Sequence, residues 1–358
     1  MKRYAIMSLI LLFAVSLFSA TLVEKWSVFP EDFDWFCTEY GTKGAAVSPV
    51  TGNVIVAVWD RAKDPFEASV RVLSSVDGSE LGTLTPPAEG YRIDYLDSMA
   101  GVSKVVVLPS GKVLVTNHTT TADHNNKLFV WENENVGGAE PLVVTHTFKH
   151  SDGSGNVLAA VEKDNGDIVV IASTNKWASH ADRPVIKYEY TSATDTWDAT
   201  QTQPDTPRPF GATIFEDETY ATFGLFGLNA PIYNADGSAS GTSISGLSGA
   251  LASNIYVDDD GNYFILSSPY QGGGDDAIKL FYSEAALTPD FIEIDADVRA
   301  DFFNNAAIQG DGQHILATVS GDDGIYLYGS VLIQNNVIAL YYAETDKLPV
   351  SDWSLFTK

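Results

Sequence analysis

The sequence has 358 residues, with 47 Asp and Glu against 21 Lys and Arg, so its formal net charge is −26. Nucleic acids and anionic membranes bind proteins through basic surfaces. We therefore expect neither to be a partner of a chain this acidic. The single cysteine, Cys37, excludes a disulfide framework, and a chain of this length can bury a sizeable core without one.

Residues 1–20 read MKRYAIMSLILLFAVSLFSA, in which two basic residues precede an apolar run from Ala5 to Phe18. The pattern predicts a secretory signal peptide, because the run is shorter than the roughly 20 residues of a membrane-spanning helix. Residue 21 is threonine, not the cysteine of a bacterial lipid anchor. We expect one domain, residues 21–358, to be secreted or periplasmic, away from the membrane after cleavage and monomeric. Its 19 basic and 47 acidic residues then carry a formal charge of −28.

A hairpin pattern recurs along the rest of the chain: a strand of small and apolar residues, a tight polar turn and a strand rich in Val, Ile and Leu. The turn glycines are separated by 59, 55, 95 and 51 residues, and the long gap spans two units because the fourth copy has EDET at residues 216–219. The six copies are residues 44–58, 102–117, 157–173, 211–225, 252–268 and 306–320.

A third strand with aromatic or β-branched residues follows each hairpin, such as VRVL at Val70 and VIKYEY at Val185. In most copies a more polar fourth strand comes next, such as ELGTLT from Glu80 and FIEIDA from Phe291. Four antiparallel strands with a period near 50 residues are typical of β-propeller blades. The sequence therefore predicts an all-β fold, a single β-propeller of six four-stranded blades.

The sequence leaves two alternatives to this architecture. Seven blades would follow if residues 83–100 or 318–335 contain further strands. A pair of β-sandwich domains would need a linker. The only stretch that looks like one, residues 237–250, falls where the fourth copy needs its turn and outer strand.

Two similar phrases stand near the chain ends: EKWSVF at residues 24–29 and SDWSLF at residues 351–356. Propellers commonly pair strands from both termini in one blade, which leaves no sheet edge open. We expect the ring to close in this way, with either phrase as the outermost strand of the last blade.

The sequence contains no complete motif for metal binding or catalysis. VDDDGNYF, from Val257, begins like an EF-hand loop but has Tyr263 at the sixth position and Pro269 at the twelfth. No histidine pair has the spacing of a zinc site, and no GXSXG nucleophile motif is present. For GGGDDA at residues 272–277, and for the loop flanked by His118 and His124, we favour plain loops over cation sites.

A functional site of such a fold would lie where the loops enter the innermost strands and form a rim around the central channel. Their acidic and amide groups could hold a calcium ion through oxygen ligands, although we favour a hydrated polar rim without a cofactor. The candidate rim residues are Glu39, Asp94, Asp97, His150, Asp152, Arg208, Asp301, Asn304 and Asn305.

The stretch DSMAGVSKVVVLPSGKVLVTNHTTTADHNNKLFVWENE, residues 97–134, resembles a family of uncharacterised exported bacterial propeller-like proteins. The segments DWFCTEYGTKGAAVSP and RVLSSVDGSELGTL resemble its opening blade. The resemblance covers about the first half of the chain, implies an exported propeller and carries over no catalytic residue. More distantly, the blades resemble those of NHL and sugar-lactonase propellers, whose pattern of an early Glu with spaced Asn and Asp ligands is not recognisable here.

Three functions follow as hypotheses. We favour a non-catalytic binding or scaffolding propeller that presents loops to a protein or glycan partner. The alternative is a divalent-cation-dependent hydrolase or lyase of the lactonase type, with its site in the channel. A structural surface component is the third, because a widely used fold does not decide among them.

Overall fold

The computed structural model describes sixteen segments of the chain, and every structural statement below concerns these residues. They are residues 22–36, 42–60, 67–91, 101–118, 125–146, 154–174, 185–202, 209–224, 229–245, 250–257, 263–269, 279–283, 292–294, 317–320, 326–331 and 338–343. Within them the chain is all-β, with 24 strands and one short 3₁₀ helix at Pro30–Asp32.

The strands form six four-stranded antiparallel sheets. Sheet 1 consists of β2 (Thr42–Val47), β3 (Val54–Asp60), β4 (Glu67–Leu73) and β5 (Glu80–Thr83). Sheet 2 consists of β6 (Gly101–Val107), β7 (Val113–His118), β8 (Asn126–Trp131) and β9 (Leu142–His146). Sheet 3 consists of β10 (Ser154–Glu162), β11 (Ile168–Thr174), β12 (Val185–Thr191) and β13 (Thr196–Thr202).

The remaining three sheets follow the same order with one exception. Sheet 4 consists of β14 (Pro209–Ile214), β15 (Tyr220–Gly224), β16 (Asn229–Tyr233) and β17 (Ala239–Ser245). Sheet 5 consists of β18 (Ala250–Val257), β19 (Tyr263–Pro269), β20 (Lys279–Ser283) and β21 (Ile292–Ile294). Sheet 6 joins β22 (Ala317–Ser320), β23 (Tyr326–Val331) and β24 (Ile338–Ala343) to β1 (Leu22–Val28).

The turn glycines predicted from the sequence have the left-handed backbone conformation that favours glycine. Gly52, Gly111 and Gly166 have φ angles of 75°, 87° and 81°, in the left-handed region that other residues adopt at a cost. Gly261 and Gly312 lie outside the described residues. The hairpins of the first three copies are therefore confirmed down to their turns.

Sheet 6 differs from its predicted composition. Residues 318–335, which the seven-blade alternative named as a place for further strands, contain β23, and this strand pairs with both β22 and β24 of sheet 6. Of the predicted sixth hairpin, only residues 317–320 are described. EKWSVF lies in β1, which pairs with β24 from Leu22 opposite Ala343 to Val28 opposite Ile338. SDWSLF lies outside the described residues.

The sheets stack face to face, and β3 shows why its sequence, VIVAVWD, is apolar at successive positions. Val54, Val56 and Val58 pack in a cluster with residues of sheet 6. Ile55, Ala57 and Trp59 point the other way and pack in a cluster with residues of sheet 2. A strand buried on both faces has no polar side, because successive side chains alternate between two dry interfaces.

The first strands of successive sheets lie side by side: β2 with β6, β6 with β10, β10 with β14 and β14 with β18. β2 approaches β6 closely at Gly44, where an added Cβ would collide with the carbonyl oxygen of Ser103 and lie 2.8 Å from the Cα of Lys104. The first strands of sheets 1 to 5 therefore lie in a row, each beside the first strand of the next sheet.

Candidate functional site

A backbone irregularity recurs at the same place in five sheets. The first strand of each of sheets 1 to 5 shifts register against the second strand within its first four residues. In sheet 2, Ser103 and Lys104 together oppose Thr116, whose hydroxyl accepts a hydrogen bond of 3.3 Å from the N–H of Lys104. Bulges of this kind bend a strand and change the direction of its side chains, and they are common beside active sites.

The nine predicted rim residues all lie outside the described residues, so their convergence stays a prediction. In the sequence, Arg208 directly precedes β14, Asp152 lies two residues before β10 and Glu39 lies three before β2. Cys37, His124, residues 258–262 and residues 272–277 also lie outside. Within the segments that are described, no group of three or more His, Cys, Asp or Glu side chains is placed to hold a metal ion.

The described residues contain a different candidate at the margin between sheets 2 and 3, which we call the aromatic groove. It consists of Lys112, Glu132, Tyr190, Asp195 and Trp197. Tyr190 ends the buried stripe of β12, in which Ile186 and Tyr188 pack against sheet 2. Tyr190 and Trp197 are themselves only partly buried and pack against this cluster at its margin.

The two aromatic rings are held in place by strand register. Tyr190 of β12 lies directly opposite Trp197 of β13, and their centroids are 5.2 Å apart with an interplanar angle of 38°. The turn between the strands places Asp195 at φ 52°, a left-handed conformation that aspartate tolerates better than most residues. From there its carboxylate accepts a 3.0 Å hydrogen bond from the Tyr190 hydroxyl.

Negative charge surrounds these rings. The pKa of Tyr190 is raised, first by its bond to Asp195, then by burial and by the charges of Asp195, Glu132 and Asp167. Hydrogen bonds from the backbone N–H and hydroxyl of Ser192 hold the pKa of Asp167 below its usual value. The only described cation of the groove, Lys112, forms an ion pair with Glu132.

This arrangement suits non-covalent binding of a ligand that has both apolar and hydroxyl groups. Partly exposed Tyr and Trp rings offer a flat apolar surface, while carboxylates at its edge accept hydrogen bonds from hydroxyl groups. The sequence reveals half of the groove, because Tyr190 and Trp197 lie on two strands joined by the four-residue turn 192–195, at positions that can pair across a hairpin. Lys112 and Glu132 belong to another sheet, and no local pattern predicts their proximity.

Comparison with solved structures shows the fold. A DUF4623 family protein from Bacteroides eggerthii superposes with a TM-score of 0.58 at 13% identity, over 92% of this chain and 77% of that one. A provisionally assigned gluconolactonase superposes with a TM-score of 0.50 at 13% identity, over 92% and 94% of the two chains. These similarities support the predicted likeness to uncharacterised and lactonase-type propellers.

Sequence comparison adds nothing further: no protein-family model and no curated protein matches the chain. In the part of the chain that the structure describes, no helix is long and apolar enough to cross a membrane.

Proposed function

We propose that the protein is a secreted, non-catalytic binding propeller whose aromatic groove contacts a glycan. The observation that carries this proposal is the Tyr190–Trp197 pair, fixed by cross-strand register and by the bond from Tyr190 to Asp195. Sugar rings present apolar C–H faces beside hydroxyl groups, and a partly exposed aromatic pair edged by carboxylates complements both features.

Rigidity supports a binding role. Tyr190 and Trp197 pack against the core between sheets 2 and 3, so little side-chain entropy would be lost when a ligand covers them. The bond between Asp195 and Tyr190 also keeps a carboxylate beside the ring without a ligand. A preformed site of this kind favours a rigid glycan over a partner segment that must fold as it binds.

The test is isothermal titration calorimetry with short neutral cello-, xylo- and chito-oligosaccharides. Trp197→Ala should weaken binding by about tenfold or more, whereas Trp197→Phe should retain most of it, because a ring surface remains. Leu142→Ala, an exposed position of sheet 2 outside the groove, serves as the matched control and should bind like the parent. Binding that survives Trp197→Ala would show that the groove is not the contact surface.

Export forms a second part of the proposal. We propose that residues 1–20 are removed during secretion and that the remaining domain is a monomer. The acidic chain suits a soluble extracellular protein, because a net charge far from zero opposes self-association. Mass spectrometry of the exported protein should give an N-terminus near Thr21, and light scattering should give the mass of one chain.

We further propose that the six sheets are the six blades of a ring closed by β1. In support, β1 pairs with β24 along its length, and its Trp26 and Val28 pack with sheet 1. The indole N–H of Trp26 also donates a 3.2 Å hydrogen bond to the carbonyl of Ser75 in sheet 1. One N-terminal strand thereby joins the last sheet to the first.

A second candidate function is a cation-dependent hydrolase or lyase in the channel, and the repeated bulges favour it. Five irregular first strands at one mouth would aim loop residues at the axis, where Asp97, Asp152 and Asp301 could provide carboxylates. Under this hypothesis calcium should raise the Tm by several degrees, EDTA should reverse the shift, and Asp97→Asn should weaken it. An identical Tm with calcium and with EDTA would count against this function.

A further inference from the structure

Three valines are exposed on neighbouring turns of sheets 1 and 2, and we call them the valine patch. Val50 lies in the turn between β2 and β3, Val76 in the turn between β4 and β5, and Val136 in the segment between β8 and β9. Their exposed fractions are 58%, 73% and 44%. Single exposed apolar residues are common, but a group on adjoining turns indicates a contact surface.

One asparagine holds the three turns together. The side-chain oxygen of Asn53 accepts a 3.1 Å hydrogen bond from the N–H of Ser75, which ties the Val50 turn to the Val76 turn. Its side-chain nitrogen donates a 3.1 Å hydrogen bond to Glu134, two residues before Val136. The Thr51 hydroxyl also donates to Glu134. The patch is therefore assembled before any partner arrives.

Two of the three valines are anchored on one side. Val136 lies against Gly82 of β5, where an added Cβ would collide with its side chain. Val50 approaches Gly111 in the adjacent turn of sheet 2. Because valine has few rotamers and the turns are cross-linked, covering this surface would cost little conformational entropy.

The electrostatic surroundings indicate the partner. Residues 48–53, 74–79 and 133–141 contain three carboxylates and no Lys or Arg: Asp77, Glu134 and Glu140. Bonds from the Ser79 side chain and backbone lower the pKa of Asp77, which keeps it ionised. One Glu134 oxygen is buried without a hydrogen-bond partner among the described residues. A second copy of this chain, with its net charge of −26, would be repelled.

We propose that the valine patch docks a segment of another protein in which apolar side chains alternate with Lys or Arg. The apolar groups cover Val50, Val76 and Val136, and the basic groups face the exposed carboxylates Asp77 and Glu140. This surface is independent of the proposed glycan contact, since none of these five residues belongs to the aromatic groove.

The probes are two short fluorescent peptides of equal charge, one alternating lysine with valine and one alternating lysine with serine. Fluorescence anisotropy should show the valine peptide binding the parent protein roughly tenfold more tightly than the serine peptide. The triple variant Val50→Ser, Val76→Ser, Val136→Ser should reduce that preference to within about twofold. Leu142→Ser, with a side chain 55% exposed outside the patch, should preserve it.

A further variant separates charge from apolar contact. Asp77→Asn should weaken both peptides alike and reduce the salt dependence of binding. Equal affinity of the parent protein for the two peptides would overturn the proposal, because the surface would then be merely acidic. A preference that the triple variant leaves unchanged would overturn it as well. Trp197→Ala should leave peptide binding intact, which distinguishes failure here from failure of the glycan proposal.

Discussion

Glu218 occupies the turn position in sheet 4 that Gly166 occupies in sheet 3. The N–H of each donates to the carbonyl three residues earlier, at 2.9 Å to Phe215 and 2.8 Å to Lys163, respectively. Both have left-handed backbones, with φ 65° for Glu218 and 81° for Gly166. The fourth copy has therefore lost its turn glycine without losing the turn.

The Glu218 side chain explains how the strained backbone is maintained. Its carboxylate forms ion pairs of 2.5 Å with both Lys163 and Lys187 of sheet 3. Lys187 is buried and also pairs with Glu189 at 2.9 Å. Charge-assisted bonds to a partly buried carboxylate hold sheets 3 and 4 together and offset the cost of the left-handed conformation.

Substitution at Glu218 should separate the stabilisation by the ion pairs from the cost of the left-handed backbone. Glu218→Ala removes both ion pairs and keeps the strain, so it should lower the free energy of unfolding by about 2 kcal/mol. Glu218→Gly removes the same ion pairs but relieves the backbone, and it should be about 1 kcal/mol more stable than the alanine variant. Urea denaturation of both variants measures the difference. An alanine variant as stable as the glycine variant would mean that the turn stores no strain.

Stability should depend on pH through the same ion pairs. Hydrogen bonds from Lys163 and then Lys187 lower the pKa of Glu218 below 4.5. A lowered carboxyl pKa stabilises the fold above the unfolded value, and this contribution is lost as pH falls through the folded value. The difference in unfolding free energy between the parent and Glu218→Gln should be constant near neutral pH and shrink below about pH 4.5.

Lys187 determines where, at alkaline pH, the ion pairs with Glu218 cease to stabilise the fold. Burial alone would lower its pKa, but the bonds to Glu218 and Glu189 outweigh burial and raise the pKa above 10.5. Its contribution is therefore complete below the unfolded pKa and lost as pH rises through the folded one. Thermal denaturation of the parent and Glu218→Gln across neutral pH should run in parallel; curves that converge between pH 6 and pH 8 would contradict this assignment.

Gly44 should not tolerate a side chain. Because an alanine Cβ there would meet the backbone of Ser103 and Lys104, Gly44→Ala must separate β2 from β6 and should cost roughly 3 kcal/mol or more. Gly137→Ala is the control, since Gly137 has a φ of 67° but nothing within 4 Å of an added Cβ. Gly137→Ala should lower the free energy of unfolding by only about 1 kcal/mol, because it adds backbone strain without a collision. Equal losses in chemical denaturation would refute a close approach of the first strands.

Deletion of residues 21–29 should destabilise the whole ring rather than one end. The deletion removes β1, exposes the edge of β24 and uncovers sheet 1 where Trp26 and Val28 pack. Calorimetry should show one transition at a Tm lowered by many degrees, and Trp26→Phe, which keeps most of the packing, should lower it less. A deletion variant that melts like the parent would rule out closure through β1.

Local chemistry determined much of the architecture. Glycine turns such as that of Gly111, alternating or continuously apolar strands such as β3 and β12, and their spacing predict hairpins and four-stranded sheets. Turns and strand patterns depend on residues that are close together in the chain. They can therefore be predicted from the sequence alone. The composition of sheet 6 was harder, because β22 (ATVS) and β23 (YLYGSV) are not the strongly apolar Val- and Ile-rich runs that mark the earlier hairpins.

Tertiary structure decided what lies between the sheets. Nothing near Glu218 in the sequence identifies Lys163 and Lys187 as its partners, and nothing near Tyr190 identifies Glu132. Likewise, Val50, Val76 and Val136 are unremarkable until Asn53 joins their turns. Contacts between sheets depend on how whole sheets stack, and that stacking is set by many weak apolar contacts acting together. The sequence by itself therefore determined the repeating unit, whereas packing between units created both candidate binding surfaces.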